Sequence, residues 1–391
     1  MRLPPPVPAA VRAEPTLEAL GRQVESLGRA HGLDAVGIAP ASPLTRARQI
    51  LDERKAAGLH GGMEFTYRNP ARSTSPDRVV PDAAAIVVGA RRYASHPPAP
   101  AHGIEPAGRV ARYAWTDHYA PLREALKAVA LHLRAHGHRA VVVADDNAMV
   151  DREVAYRAGI GWFGKNANLL LPGAGSWFVL GAVVTDAPLP VAGGPVPDGC
   201  GTCRRCLDAC PTGAIVAPGV VDARRCLAWL VQQPGTFPRQ HRLALHDRIY
   251  GCDDCQEVCP PNLRFDRTAP PTLKPAAPSP GPWVPLLDLL AAGDDELLAR
   301  YGRWYLAGRD PRWLRRNALI ALGNIGDRGD ERVVAALQRH LRHTDPMLRS
   351  HAAWAARRLG RHDLLDVLVG DDAPDVVDEL AAPDPPVPVP T

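Results

Sequence analysis

A chain of 391 residues with 46% hydrophobic side chains is long enough for two or three domains with real cores, and a formal net charge of +4 is too small to mark a nucleic-acid binder by total charge. With Pro 41, Gly 34 and only 5% aromatic residues, the composition is that of a globular protein with many turns and proline-rich joints. The longest apolar runs, 83–90 and 177–184, are strand-sized and far short of a membrane span.

Residues 1–15 are rich in proline and alanine and hold no apolar core of signal-peptide length, so a disordered arm on a cytoplasmic protein is expected. Thr16 is placed to N-cap a helix whose apolar positions Leu17, Leu20, Val24 and Leu27 share one face and which stops near Gly32. A strand over 35–39, a helix over 43–57 and a buried strand over 83–89 follow. Leu122, Leu126, Val129 and Leu133 predict a helix over 121–136, halted by Gly137. A β-branched strand over 139–144 then delivers Asp145 to its end, ahead of a helix over 149–158 and a strand over 176–185. Together these make an α/β layered domain over 16–190 within an α+β multidomain protein.

All eight cysteines lie between Cys200 and Cys259. Cys200, Cys203, Cys206 and Cys210, followed by Pro211, form C-x2-C-x2-C-x3-C-P, the run of bacterial two-cluster ferredoxins. Cys252, Cys255 and Cys259, followed by Pro260, form C-x2-C-x3-C-P, and Cys226 stands alone between the groups. Three closely spaced thiolates fit three corners of an iron–sulfur cube, whereas a C-x3-C-P cysteine leaves on another heading and reaches the other cube. The expected pairing is therefore crossed: Cys200, Cys203, Cys206 and Cys259 for cluster 1, and Cys210, Cys226, Cys252 and Cys255 for cluster 2. Zinc knuckles would also consume eight cysteines but have no use for this spacing, and disulfides do not suit a large chain without a secretory signal. A dicluster ferredoxin-like domain over 191–267 results, which suits a wired redox enzyme and a bare electron-transfer protein equally.

A proline-dense linker over 268–285 leads to a region patterned as helices only. Asp310-Pro311 and Asp345-Pro346 each open a helix, with a third between them around 331–343, a repeat of about 34 residues that marks HEAT-like helical repeats over 286–365. Two units are few, so the module is expected to lean on the ferredoxin-like domain. Its arginines, Arg312, Arg315, Arg316, Arg339 and Arg342 among them, outnumber nearby acids and suggest a phosphate-facing surface. Residues 366–391 turn acidic and proline-rich and are expected to be a disordered tail.

Three stretches carry a resemblance: 145–166 (DDNAMVDREVAYRAGIGWFGKN), 108–119 (GRVARYAWTDHY) and 248–260 (RIYGCDDCQEVCP). In these the chain resembles the epoxyqueuosine reductases, the cobalamin- and iron–sulfur-dependent enzymes of tRNA queuosine synthesis. The resemblance implies that the α/β domain holds cobalamin, that two 4Fe-4S clusters feed it electrons from an external donor, and that the substrate is epoxyqueuosine at the wobble position in the anticodon region of a tRNA. A monomer with no membrane attachment is expected. The family's acid, an aspartate shortly before the helix leading to its GLGW motif (GIGW here), matches Asp145, at the C-terminal end of a strand where α/β sites gather. Asp146 beside it is the alternative. Lys165 and Asn166 match the family's GKN, Arg112 and Tyr119 fall in or next to the GRVARYAW match, and Arg72 lies in a looser one; all five are candidates to bind cofactor. No D-x-H-x2-G run occurs, so cobalamin is expected without a protein axial ligand. After Cys226 the chain reads LAWLVQQPGTFP where the family more often has a threonine-isoleucine-glutamate run. The remaining alternatives are a dicluster electron-transfer protein and a cobalamin-dependent reductase of another substrate.

Overall fold

The computed structural model describes residues 15–93, 99–100, 103–191, 193–267 and 280–387. Residues 1–14 of the arm expected over 1–15 and most of the proline-dense linker lie outside the described residues.

The strand Ala85–Arg92 is the centre of the first layer system. Ala85 and Val87 pack into one cluster of buried side chains while Ile86, Val88 and Ala90 pack into another, the period of two that a strand covered on both faces requires. Ala35–Pro40 pairs along one side of it and Phe178–Thr185 along the other, with Ala140–Val143 beyond as an edge strand. One face is covered by the helices Leu17–Ala30 and Tyr119–Ala135 through Leu20, Val24, Leu122, Leu126 and Val129. The opposite face takes Leu44, Met149, Val154 and Ala155, the last two from the helix Asp151–Arg157. Gly89 and Gly181 are register partners, and a Cβ on either would stand 3.2 or 2.8 Å from Leu126, so two glycines side by side let the long helix settle onto the sheet. Every pairing in this sheet is antiparallel. Asp145 therefore leaves an edge strand, not the crevice of a parallel sheet, and the expected analogy with open α/β sites does not apply.

The later segments are stitched together. Ala107–Val110, from the first region, pairs in parallel with Arg248–Tyr250 from the cysteine region and antiparallel with Trp283–Pro285. The end of the expected linker is thus a strand. One hydrophobic core runs from Leu227, Leu230, Phe237 and Ile249 into Leu314, Leu319, Leu348 and Trp354, so the helices Arg312–Ile325, Glu331–Leu341 and Pro346–Arg358 share their interior with the cysteine region.

Two expectations need correction. The tail is not disordered as far as residue 387: His362–Leu368 forms a 3-10 helix and Pro374–Ala381 an α-helix. Glu379 of that helix, 1% exposed, lies 2.7 Å from Arg242 and 2.9 Å from Arg239, and Arg357 reaches Asp384 at 2.7 Å. The arginine surface also fails at its centre. Arg316 is fully buried, its guanidinium donating to the carbonyls of Leu230, Gln233 and Gly235 at 2.6–3.0 Å, and Arg315 is held by Asp294 and the carbonyl of Ala292. Neither is available to a phosphate. Arg339 and Arg342 are exposed.

Candidate active site and cluster-binding centre

The eight cysteines are free thiols, each partly buried. Burial pushes the Cys259 thiol up to about 11, and among the charges that add to the shift are Cys200, Cys203 and Cys206, so it stands with the first run and not only with its own. Cys226 feels Cys210, Cys252 feels Cys226, and Cys255 feels Cys252, Cys226 and, from the first run, Cys206. Backbone N–H groups point at the sulfurs: Ala214 N–H donates to Cys210 Sγ at 3.2 Å, and Ala228 and Trp229 donate to Cys226. Thiols crowded this way are hard to ionise unless a cation compensates, while the N–H groups favour the thiolate; both fit a metal–sulfur centre. Among the described residues no three His, Cys, Asp or Glu side chains converge as ligands of a single ion. Ligands of a cube stand farther apart, each on its own iron.

The cysteine loops are bound to the first region by polar side chains. Lys165 Nζ donates to the carbonyls of Gly201 and Cys203 at 2.6 and 2.9 Å, and Asn166 donates to the carbonyl of Cys255 at 3.3 Å. Asn262 Oδ1 accepts from Ser176 N–H at 2.6 Å, and its Nδ2 donates to Ser176 Oγ and Gln256 O. Arg112 pairs with both Asp266 oxygens at 3.1 Å, lies 4.2 Å over the Trp177 ring, and its backbone N–H donates to Asp253 at 2.7 Å.

At the end of Ala140–Val143 the chain turns sharply, with Asp145 at φ 55, a left-handed conformation that aspartate tolerates better than most residues. Asp146 Oδ1 accepts from Ala148 N–H at 2.7 Å and so makes the turn. Asp145 is left pointing outward, about half exposed, with Arg123 Nη2 3.9 Å away. Partial burial raises its pKa, Arg123 opposes this, and Asp117 and Asp146 add to it. Asp151, where the next helix begins, is pushed by burial and by Asp145 up to about 8. The phenols of Tyr93, Tyr113, Tyr119 and Tyr250 are all pushed up by burial and remain donors. Arg152 donates to the carbonyl of Ala167 at 3.1 Å, and its charge favours the ionised forms of Asp151, Tyr119 and the Cys226 thiol.

A family model for a 4Fe-4S double cluster binding domain matches residues 199–262, and one for HEAT repeats matches 303–382. The epoxyqueuosine reductase of Xanthomonas campestris is 34% identical over 362 residues, covering 90% of this chain and 99% of that one. The enzyme of the same name from Escherichia coli K12 is 34% identical over 348 residues, 87% of this chain and 89% of its own. The chain belongs to the epoxyqueuosine reductase family. A solved epoxyqueuosine reductase with an epoxyqueuosine-modified tRNA-Tyr stem loop superposes with a TM-score of 0.82 at 29% identity, covering 93% of this chain and 98% of that one. The Bacillus subtilis member, captured with its catalytic loop swung out of the active site, superposes at 0.83 with 29% identity and the same two coverages.

Epoxyqueuosine reductases depend on cobalamin, whose rim of amides needs polar partners. Asp151 Oδ1, Arg112 Nε and Trp177 Nε1 are buried without partners in this fold, and together with the protonated tyrosines they fit such a rim. Of the residues expected to bind cofactor, Tyr119 lies with Asp145. Lys165, Asn166 and Arg112 instead stand at the seam with the cysteine loops, and Arg72 is exposed on the short helix Pro70–Ser73. Asp151, Arg152, Tyr93 and Tyr250 were not singled out from sequence. Only the resemblance of 145–166 pointed toward the first two, since an Asp-Arg pair opening a helix reads as a solvated cap.

Proposed function

We propose that this chain reduces epoxyqueuosine to queuosine at the wobble position of tRNA, with Asp145 as proton donor and the two crossed cysteine sets as cluster ligands. The observation that carries this reading is the half-exposed carboxyl of Asp145, raised by partial burial, held at the turn after Ala140–Val143 with Arg123 3.9 Å away. Bound cobalamin supplies a strongly reducing metal and the bound clusters supply electrons one at a time. The protein's share is to bind, orient and protonate. Opening an epoxide to an alkene expels water and needs a positioned acid, and a carboxyl with a raised pKa holds its proton more firmly than a free aspartate does. Arg123 steadies that carboxyl, and the buried phenols keep the surrounding wall uncharged. Lys165, Asn166 and Arg112 hold the cluster loops against the α/β region, and Tyr119 with the unpaired Asp151 oxygen would meet the cofactor. The same reading takes the protein as a cytoplasmic monomer served by an external electron donor, and no helix among the described residues is long and apolar enough to cross a membrane.

Anaerobically reconstituted protein should bind cobalamin, show an iron–sulfur spectrum and convert epoxyqueuosine in tRNA. Asp145→Asn should keep both cofactors and lose turnover by about 100-fold or more. A fully active variant would place the acid elsewhere, and a wild type that cycles its clusters without binding cobalamin would favour the electron-carrier reading.

A further inference from the structure

Of the chain's phenylalanine, tyrosine and tryptophan rings only Phe65 and Tyr305 are exposed, and Tyr305 is the more open at 55%. It lies in the loop between the helices Asp294–Tyr301 and Arg312–Ile325. That loop alternates as a strand does: Trp304 and Leu306 enter the core while Arg303 and Tyr305 face solvent. Its backbone is pinned. Trp304 stacks on Tyr250 with ring centres 4.5 Å apart, and Tyr305 N–H donates to the Tyr250 hydroxyl at 2.8 Å. Arg303 Nη2 and Trp304 Nε1 both donate to the Ala114 carbonyl, at 2.7 and 3.0 Å. A broad flat ring on an ordered backbone costs little further ordering when something stacks on it.

This ring stands close to the acid. Ala114 lies five residues before Tyr119, whose ring sits under the Arg123 guanidinium at 5.6 Å, and Arg123 is 3.9 Å from Asp145. Five residues of chain span at most about 18 Å. The Tyr250 phenol that accepts from Tyr305 also feels the charge of Asp145. An RNA loop that presents one nucleotide to Asp145 therefore has the reach to lay a neighbour on Tyr305. Arg303 adds a cation beside the ring. No carboxylate among the described residues pairs with it, and Asp117, whose charge acts on it, has Oδ1 occupied by the N–H groups of Tyr119 and Ala120.

We propose that Tyr305 is a stacking platform for an unstacked base beside the modified nucleoside in the anticodon loop, with Arg303 taking a phosphate oxygen of the same strand. Every base has a π face, so the platform supplies affinity for an opened loop without reading its sequence. It holds the loop while the modified nucleoside sits over the acid. The inference rests on epoxyqueuosine tRNA being the substrate.

The test uses the full-length holoenzyme and an epoxyqueuosine-modified anticodon stem loop with 2-aminopurine on either side of the modified nucleoside. Wild type and Tyr305→Phe should quench at least one reporter on binding. Tyr305→Ala and Tyr305→Leu should quench neither, because leucine restores apolar area without a π face. Tyr305→Ala should raise KM for tRNA by about 5- to 100-fold with kcat little changed. Because the ring faces solvent, all three variants should keep the wild-type melt and iron content. Arg303→Gln should reduce the slope of log affinity against log salt by about 0.7, one phosphate contact on a single strand. Unchanged KM in Tyr305→Ala, or wild-type quenching by Tyr305→Leu, overturns the platform, and an unchanged salt slope in Arg303→Gln overturns the phosphate contact. A wild type that binds the stem loop through Tyr305 but does not reduce the nucleoside overturns the functional reading and leaves the platform standing. One that does not bind the stem loop overturns both.

Discussion

Arg316 is a cation with no carboxylate partner. Burial lowers its pKa to about 9, with Arg242 adding to the shift, yet its N–H groups are all engaged by backbone carbonyls and Asn317 Oδ1. Two of those carbonyls, Leu230 and Val231, close the short helix Leu227–Leu230 that follows Cys226, so this side chain fixes where that cysteine's segment ends. Arg316→Met would leave several buried acceptors unsatisfied and should cost about 3–5 kcal/mol, read from the denaturation midpoint, with iron lost on the same curve. Sequence reading placed Arg316 on a phosphate-facing surface because an arginine is visible in sequence as charge, whereas the carbonyls that spend that charge lie 81–86 positions away. The place of Asp145 just past a strand was legible because the β-branched run over 139–144 stops there. Asp151 was not, since what distinguishes it from a helix cap is a missing partner.

Helices and strands were legible wherever one pattern of apolar residues ran long enough. Leu17–Ala30, Tyr119–Ala135 and Pro346–Arg358 lie within a few residues of the expected spans, and Thr16 caps the first by accepting from Ala19 N–H at 3.3 Å. Strand direction was not legible, because a two-sided buried strand looks the same in parallel and antiparallel sheets. Nor was the seam at Gly175, which has φ 71 and whose missing Cβ would overlap the Asn262 side-chain oxygen. That oxygen accepts from Ser176 at the entry to Phe178–Thr185, so one absent methyl allows the cysteine loop to dock on the sheet. Gly175→Ala should cost about 1–3 kcal/mol in thermal or chemical melts, from overpacking and the disfavoured left-handed backbone. The variant should still fold its sheet and bind cobalamin less firmly, whereas an unchanged melt would show that the seam can yield.

Across the whole molecule, sequence distance hides the closures. The acidic, proline-rich tail has the composition of a solvated segment, yet Glu379 meets Arg242 from 137 positions away and Arg239 and Arg357 gather around it. Glu379→Gln would leave Arg242 buried without its counter-charge and should lower stability by about 3–5 kcal/mol, with the tail becoming sensitive to protease before the core does. The domain order along the chain was visible, as was the helical module's leaning on the cysteine region; that one three-stranded sheet joins 107–110, 248–250 and 283–285 was not, because pairing partners leave no local mark. The interlacing of the cysteines has a consequence for how the protein is made. On the crossed ligation proposed here, each metal centre borrows a ligand from the loop that frames the other, so stripping one opens its neighbour. A preparation that assays at half its full iron is then a mixture of filled and empty molecules, and repair in the cell must rebuild the pair together.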